Sequence, residues 1–337
     1  MNAPRVITIN TSRASVWNAS RAILKSLAIL ALAATTAANA AYPDKPLRLI
    51  VPYPPGGLTD AVARAVGKAL GERLGQPMVV ENVPGGGGNI GADKAAKSPA
   101  DGYTLYIGNN ATVGLNTLIY KKLAFDPLAD LVPVTLIAES QTILVVHPAL
   151  PAKNVPELIA LAKSKPGQLN FGSTGTGGAS HLAGEMLNTT AGIKVTHVPY
   201  KGSGPALTDL IGGQIQMMFN DTALPQVRSD KLRALAVTGP KRWPQLPDVP
   251  TMNELGLKGY DTYNFFGIFV PKDTPKDIVT RLNRELVAIM KDPAMIAWMQ
   301  ERGAEAVSST PDEFSAYIRR DLSKWDRVVK DIGLIPE

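Results

Sequence analysis

Short apolar runs alternate with longer helical patterns after residue 40, and this alternation constrains the fold more than any other feature of the chain. LRLIVPY (47–53), MVVEN (78–82) and YTLYIG (103–108) are strand-like, and helical patterns at 58–75 and 90–98 separate them. A β-α-β-α-β order predicts a parallel sheet with right-handed crossovers. This part of the chain therefore predicts one α/β unit built on a parallel sheet.

A second alternating set follows and predicts a second α/β lobe. Its strand-like and helical segments are, in order, 142–147, 155–164, 169–173, 180–190, 194–200, 205–213, 215–220 and 232–238. Two long extended stretches flank this set, 132–140 and 262–270, and we interpret them as two hinge crossovers. Helices predicted near 276–290, 293–302 and 311–332 are expected to return to the first lobe. Two lobes joined by two crossovers enclose a cleft, which is a common place for a ligand.

The first forty residues have the order of a secretory signal peptide. Basic residues and no acidic ones come first, an apolar run at 27–34 follows, and the segment ends in Ala38-Asn39-Ala40. A run of this length is far short of the roughly 20 residues that span a bilayer. We therefore expect export to the periplasm with cleavage near Ala40.

The charge balance argues against nucleic acid as a partner. The chain has 35 basic and 29 acidic residues, and four of the basic residues lie in the predicted signal peptide. No basic cluster with interleaved aromatic residues remains after residue 40. The chain has no cysteine, and it shows no spacing typical of a metal site, so neither a metal nor a cofactor is predicted.

Two loops rich in glycine follow predicted strands, one in each lobe. The first is PYPPGGLTD (52–60), and the second is the stretch STGTGG (173–178) within FGSTGTGGASHLAGE. Ligands of open α/β sheets lie beyond the carboxyl ends of strands, and helix N-termini attract anions. Two such loops at matching positions predict an anion site that both lobes share.

Competing chemistries find less support in the same residues. Neither loop has the lysine of a phosphate-binding loop, and the G-x-G-x-x-G match at 86–91 lacks the acidic residue of a dinucleotide site, because Asn109 and Asn110 end the next strand. An exported serine hydrolase that uses Ser173 and His181 stays open as an alternative, although the motif around Ser173 is not a nucleophile elbow. No catalytic residue is predicted otherwise.

The residues after position 40 resemble, over nearly their whole length, the periplasmic substrate-binding receptors of tripartite tricarboxylate transporters, the Bug family. The similar stretches are YPDKPLRLIVPYPPGGLTD, VVENVPGGGGNIGADKAAKSPADGYTL, FGSTGTGGASHLAGEML, VPYKGSGPALTDLIGGQIQMMF and FVPKDTPKDIVTRLNRELVAIMKDP. The resemblance implies a two-lobed periplasmic-binding-protein fold with a hinge and a carboxylated ligand in the cleft. We place lobe 1 at residues 41–138 plus 268–337 and lobe 2 at 139–267.

The resemblance also implies which residues bind the ligand. Receptors of this family hold a carboxylate through both loops, partly through bridging water, and on this chain those positions are Tyr53, Gly57 and Thr59 in the first loop and Ser173, Thr174 and Thr176 in the second. The complete set of predicted ligand-binding residues is Tyr53, Gly57, Leu58, Thr59, Asn109, Asn110, Ser173, Thr174, Thr176, His181, Tyr200 and Asp221.

Four further residues are predicted around the ligand. Asn109 and Asn110 are candidates to contact its far end, and Tyr200 is a candidate to cover the ligand. Asp221 either binds an ammonium group or caps the next short helix. The ligand class stays open among dicarboxylates, tricarboxylates, acidic amino acids and aromatic carboxylates. The partner is either the membrane subunits of a tripartite transporter or, if the chain is a sensing subunit, a membrane signalling protein.

Overall fold

The apolar runs of the sequence form the strands of two separate β-sheets. The computed structural model describes residues 42–258, 260, 262–331 and 333, so the predicted signal peptide, with its cleavage site near Ala40, lies outside the described residues. The strands are β1 (Leu47–Val51), β2 (Met78–Asn82), β3 (Thr104–Asn109), β4 (Leu131–Gln141), β5 (Ile143–Val146), β6 (Asn170–Ser173), β7 (Thr196–Pro199), β8 (Met217–Asn220), β9 (Arg233–Val237), β10 (Tyr263–Pro271) and β11 (Ala304–Ala306).

Helices follow most of these strands. They are α1 (Leu58–Leu74), α2 (Asn89–Ala96), α3 (Asn116–Ile119), α4 (Val155–Ser164), α5 (Ala179–Ala191), α6 (Ser203–Ile211), α7 (Leu224–Arg228), α8 (Lys276–Met290), α9 (Pro293–Glu301) and α10 (Pro311–Asp331). A π-helical turn, residues 111–115, precedes α3. None of the helices in the described ranges has both the length and the hydropathy to cross a membrane.

Both sheets are mixed, whereas the alternating pattern predicts parallel sheets. The first sheet has the order β11-β4-β10-β3-β1-β2, and the second has the order β7-β6-β8-β5-β9. β1 is parallel to β2 and β3, and β6 is parallel to β7 and β8, as the β-α-β units require. In contrast, β10 is antiparallel to β3 and β4, and β5 is antiparallel to β8 and β9.

The chain path explains the antiparallel strands. β4 ends at Gln141 and β5 begins at Ile143, so the chain passes from the first sheet to the second without a crossover helix. It returns after β9 and enters β10 at Tyr263. β4 and β10 pair with each other along their whole length. The two extended stretches interpreted as hinge crossovers are thus neighbours in the first sheet, and the lobe boundaries at 138/139 and 267/268 stay a prediction.

Alternation along the strands divides the core of the second sheet into two faces. Met217 and Phe219 of β8 pack in one buried cluster, and Met218 between them packs in the other. Side chains of a strand point alternately to opposite faces, so a strand with apolar residues at every position needs cover on both sides. Phe171 and Tyr260 belong to the first of these clusters, and Trp243 belongs to the second.

The C-terminal helices pack against the first sheet. In α10, Phe314 packs edge-on against Phe265 of β10, with ring centroids 5.7 Å apart. Both phenylalanines belong to a buried cluster that includes Ile50 of β1 and Tyr106 of β3. Rings packed in this geometry stabilise a core beyond the area that they bury. These contacts fix α10 to the sheet that carries the first glycine-rich loop.

Candidate functional site

The first loop joins β1 to α1 and exposes its backbone. Gly56 has φ 97, in the left-handed region, and Gly57 has an extended backbone at the N-cap of α1. A Cβ atom built on either glycine would have no heavy atom within 4 Å. Leu58 and Thr59 begin the helix and are buried. The N–H groups at the start of α1 therefore border open space, where they attract negative charge.

Asp60 holds this loop in place. Its carboxylate accepts hydrogen bonds from Gly56 N at 3.0 Å, Arg64 Nε at 3.1 Å and Asn82 Nδ2 at 2.9 Å. Burial alone would raise the pKa of Asp60, but the hydrogen bonds from Arg64 and Asn82 bring it below its ordinary value. Asn82 Nδ2 also donates to the carbonyl of Tyr53 at 3.0 Å. The loop is thus fixed by an ionised side chain beneath it.

Tyr53 connects the first loop to the end of β3. Its hydroxyl donates to Asn109 Oδ1 at 3.2 Å, and the same oxygen accepts from Thr112 N at 3.1 Å. Burial raises the pKa of Tyr53 to about 12, and the Asp221 carboxyl adds to this effect, while the hydrogen bond to Asn109 opposes it. The phenol therefore stays protonated and donates its hydrogen bond to Asn109. The influence of Asp221 also shows that a strand end of the second sheet lies near this loop.

The second loop joins β6 to α5 and is folded around its own hydrogen bonds. Thr174 N donates to Ser180 Oγ at 2.9 Å, and the hydroxyls of Thr174 and Ser180 are 3.0 Å apart. Gly177, with φ 74, donates its N–H to His181 Nδ1 at 2.9 Å. Thr176 is exposed at the tip of the loop. Gly178 is the N-cap of α5 and supplies no side chain.

Ser173 pairs with His197 and not with His181. Ser173 Oγ and His197 Nε2 are 2.6 Å apart, and Ser173 Oγ also donates to the Gly175 carbonyl at 3.0 Å. The hypothesised pair of Ser173 with His181 is therefore wrong, because His181 Nδ1 already accepts from the loop. Ser173 is completely buried. Its hydroxyl is not exposed in this arrangement, and contact with a ligand stays a prediction for Ser173.

The two histidines stack on one another beneath the second loop. The ring centroids of His181 and His197 are 3.8 Å apart, and Phe171 stacks on His197 at 5.0 Å. Burial lowers the pKa of each histidine to about 4, and at His197 the neighbouring His181 contributes to this decrease. Both rings are therefore neutral at neutral pH. His181 supports the loop from inside, and contact with a ligand stays a prediction for it.

Tyr200 follows β7 and Asp221 follows β8, and β6 lies between these two strands in the second sheet. The Tyr200 hydroxyl donates to Asp209 Oδ2 of α6 at 2.8 Å, so its polar end is directed to a helix of its own lobe. Burial and then Asp209 raise the pKa of Tyr200 to about 12. Asp221 does not cap α7, whose N-cap is Ala223 without a side-chain hydrogen bond. The capping alternative for Asp221 is therefore wrong.

Asn264 belongs with these residues, although its role was not predicted from the sequence. Asn264 Nδ2 donates to Asp221 Oδ2 at 3.3 Å, and the neighbouring Tyr263 carbonyl accepts from Asn110 Nδ2 at 3.4 Å. The signal available was an asparagine in a strand of otherwise aromatic and apolar residues, TYNFFGIF. The structure thus brings Tyr53, Asn109, Asn110 and Asp221 together around β10.

The second loop also lies against the segment that follows β3. A Cβ atom on Gly177 would clash with Cδ1 of Ile119 in α3. We call the buried set formed by Leu115, Ile119, Leu182, Trp325 and Val329 the bridging cluster. It joins α3 and α10, which pack on the first sheet, to α5, which follows the second loop. The two predicted loops therefore belong to one region of the molecule.

Among the described residues, no group of three or more histidine or acidic side chains could hold a metal ion. The region instead offers backbone N–H groups, small hydroxyls and carboxamides. This set of groups binds an anion through hydrogen bonds and does not need a charged clamp.

A family model described as "Tripartite tricarboxylate transporter family receptor" matches residues 62–334. The chain belongs to this family. Its members are substrate-binding receptors, and the resemblance read from the loop and strand motifs is confirmed.

Solved structures of relatives extend this result to the fold. Rpa4515 of R. palustris, solved with adipate, is 36% identical with a TM-score of 0.84 and is matched over 88% of this chain and 100% of its own. The periplasmic binding protein BugD is 33% identical with a TM-score of 0.81 over 88% and 100%. MatC of Rhodopseudomonas palustris, solved with malate, is 32% identical with a TM-score of 0.79 over 86% and 100%. The expected periplasmic-binding-protein fold is confirmed.

Proposed function

We propose that this receptor captures a small carboxylate between the loops at 52–57 and 173–178 and delivers it to the membrane subunits of a tripartite transporter. The observation that carries the proposal is the pair of loops. Each follows a strand and leads into a helix N-terminus, the first loop borders open space at Gly56 and Gly57, and the second loop exposes Thr176 at its tip. A carboxylate between two helix N-termini meets favourable partial charge from both sides.

The relatives support the chemical class of the ligand. Rpa4515 was solved with adipate and MatC with malate, and both compounds are small carboxylates. Both proteins are matched over their full length. We therefore infer a carboxylated ligand for this chain, bound by the predicted residues of the two loops.

The receptor acts without a catalytic step. The buried Ser173 hydroxyl supports this inference, because it is bound both to Gly175 and to a histidine whose pKa lies well below neutral. The order of charges and apolar residues before Ala40 supports export. BugD is by its name a periplasmic binding protein, and we infer the periplasm for this chain as well. Closure of the two lobes on the ligand would present the loaded receptor to its transporter.

Replacement of Thr176 by valine tests the loop assignment. Isothermal titration calorimetry compares the wild type with Thr176→Val, using the tightest-binding acid of a panel that contains adipate and malate. We expect affinity to fall about ten- to a hundredfold, which corresponds to the loss of one hydrogen bond to a charged group. Thr208→Val, which removes an exposed hydroxyl of α6, is the matched control and should bind as the wild type does. Equal affinity in all three proteins would contradict the assignment.

A further inference from the structure

Two buried amide oxygens near the first loop have no hydrogen-bond partner among the described residues. They are Asn110 Oδ1, in a side chain that is 1% exposed, and Asn264 Oδ1. Leaving a buried polar atom unpaired costs free energy, so each such atom calls for a partner or a functional role. Asn110 is next to Asn109, which binds Tyr53 of the first loop.

The orientation of both carboxamides follows from their partners. Asn264 Nδ2 faces a carboxylate oxygen of Asp221, and Asn110 Nδ2 faces the carbonyl of Tyr263. Carboxylate and carbonyl oxygens only accept hydrogen bonds, so each amide must direct its nitrogen toward them. The two amide oxygens therefore point away from these partners. If either carboxamide were flipped, its oxygen would face the partner oxygen, and neither atom could donate a hydrogen bond.

Asp221 adds a third acceptor with negative charge. Its single side-chain partner in the described part of the chain is Asn264, at 3.3 Å, and no lysine or arginine there forms an ion pair with it. Burial raises its pKa above the ordinary carboxyl value, because the hydrogen bonds from Asn264 and from its own backbone N–H do not compensate for the loss of water. A cation placed beside this carboxylate would be favoured.

We infer that the oxygens of Asn110, Asn264 and Asp221 bind a primary ammonium group of the ligand, so that the natural ligand is an amino carboxylate. An ammonium group has three donors and no acceptor, which matches three acceptor groups with one negative charge. The inference rests on the proposed function, because the two loops hold the carboxylate of the same molecule. A second carboxylate at this position would meet acceptors and a like charge.

Pairs of ligands that differ only at the second end test this inference. Calorimetry on the wild type compares succinate with β-alanine and glutarate with γ-aminobutyrate, in which an ammonium group replaces one carboxylate, and succinate with L-aspartate, which adds one. We expect at least one amino acid to bind about ten- to a hundredfold more tightly than its partner acid.

The variant Asp221→Asn should remove that preference, because it removes the negative charge that favours an ammonium group. Its amide oxygen can still accept a hydrogen bond from Asn264, so we expect the fold to be retained. Asp248→Asn, which removes an exposed charge, is the matched control and should retain the preference. Tighter binding of the dicarboxylates in the wild type, or a preference that survives Asp221→Asn, would overturn the inference and leave the receptor function intact. Absence of binding by every probe would contradict the proposed function itself.

Discussion

At the residue scale, hydrogen bonds beneath the two loops determine what the loops present to a ligand. Asp60 fixes the first loop from below, and the stacked rings of His181 and His197 support the second. Side chains with titratable groups thus serve as buried supports, and the exposed groups are backbone N–H and small hydroxyls. A carboxylate site of this kind depends on positions that do not touch the ligand.

The stacked histidines make stability depend on pH. The pKa of His181 is about 4 in the folded protein and near 6.5 in an unfolded chain, so the unfolded state binds more protons between these values. The free energy of unfolding should therefore fall as the pH decreases from about 6.5 to about 4, by roughly 3 kcal/mol from His181 alone at the lower limit.

Urea unfolding at several pH values measures this dependence. In His181→Gln, the glutamine oxygen can still accept from Gly177 N, but no proton is taken up on unfolding. The loss of stability in acid should be smaller in this variant than in the wild type. An equally steep loss in both proteins would contradict the assignment of the effect to the histidine pair.

Sequence alone identified most residues of the candidate site but not their partners. Ser173, Asn110 and Asp221 were recognisable because they follow predicted strands. The pairing of Ser173 with His197 was not, because it spans two strands that come together only in the folded sheet. Asn264 was missed for the same reason, since its role depends on Asp221, which follows β8 in the other sheet.

At the element scale, adjacent glycines of the first loop have different roles. Gly56 has a backbone in the left-handed region, whereas Gly57 has φ −84 and an extended backbone that any residue adopts. Both border open space. We therefore expect the fold to require glycine at Gly56, and ligand binding to require glycine at Gly57.

We expect alanine at Gly56 to affect stability and alanine at Gly57 to affect ligand affinity. Gly56→Ala should lower the free energy of unfolding by about 1–2 kcal/mol, because a side chain is strained in this conformation. Gly57→Ala should leave stability nearly unchanged but weaken carboxylate binding about tenfold or more, because its methyl group occupies the space where the ligand approaches the backbone. Thermal unfolding and calorimetry on both variants check this. If Gly57→Ala bound the carboxylate as tightly as the wild type does, the first loop would not be part of the binding site.

Helices were easier to predict than the pairing of strands. The predicted helices at 155–164 and 276–290 match α4 and α8, because regularly spaced apolar residues such as Leu282, Leu286 and Ile289 are a local signal. The antiparallel placement of β5 and β10 is set by how the chain passes between the sheets, which no local pattern records. The three-residue strand β11 and the small helical turns at 111–119 were too short for any periodicity.

At the scale of the whole molecule, the bridging cluster connects the elements that carry the two loops. Leu182 of α5 packs with Trp325 and Val329 of α10, and α10 is fixed to the first sheet through Phe314. The relative placement of the two loops is therefore supported by buried apolar surface outside the proposed ligand site. A ligand that bridges the two loops should stabilise the whole fold, because it binds only when both sheets are in place.

Thermal unfolding of the exported protein with matched carboxylates and amides tests the central claim most directly. The panel contains adipate, malate, L-aspartate and L-glutamate, each beside its fully amidated counterpart. A ligand present at about 100 times its dissociation constant stabilises the folded state by roughly 2.7 kcal/mol. We predict that at least one carboxylate raises the unfolding midpoint by several degrees and that its amide does not. An equal shift with the amide, or no shift with any carboxylate, would contradict a receptor that recognises its ligand through a carboxylate.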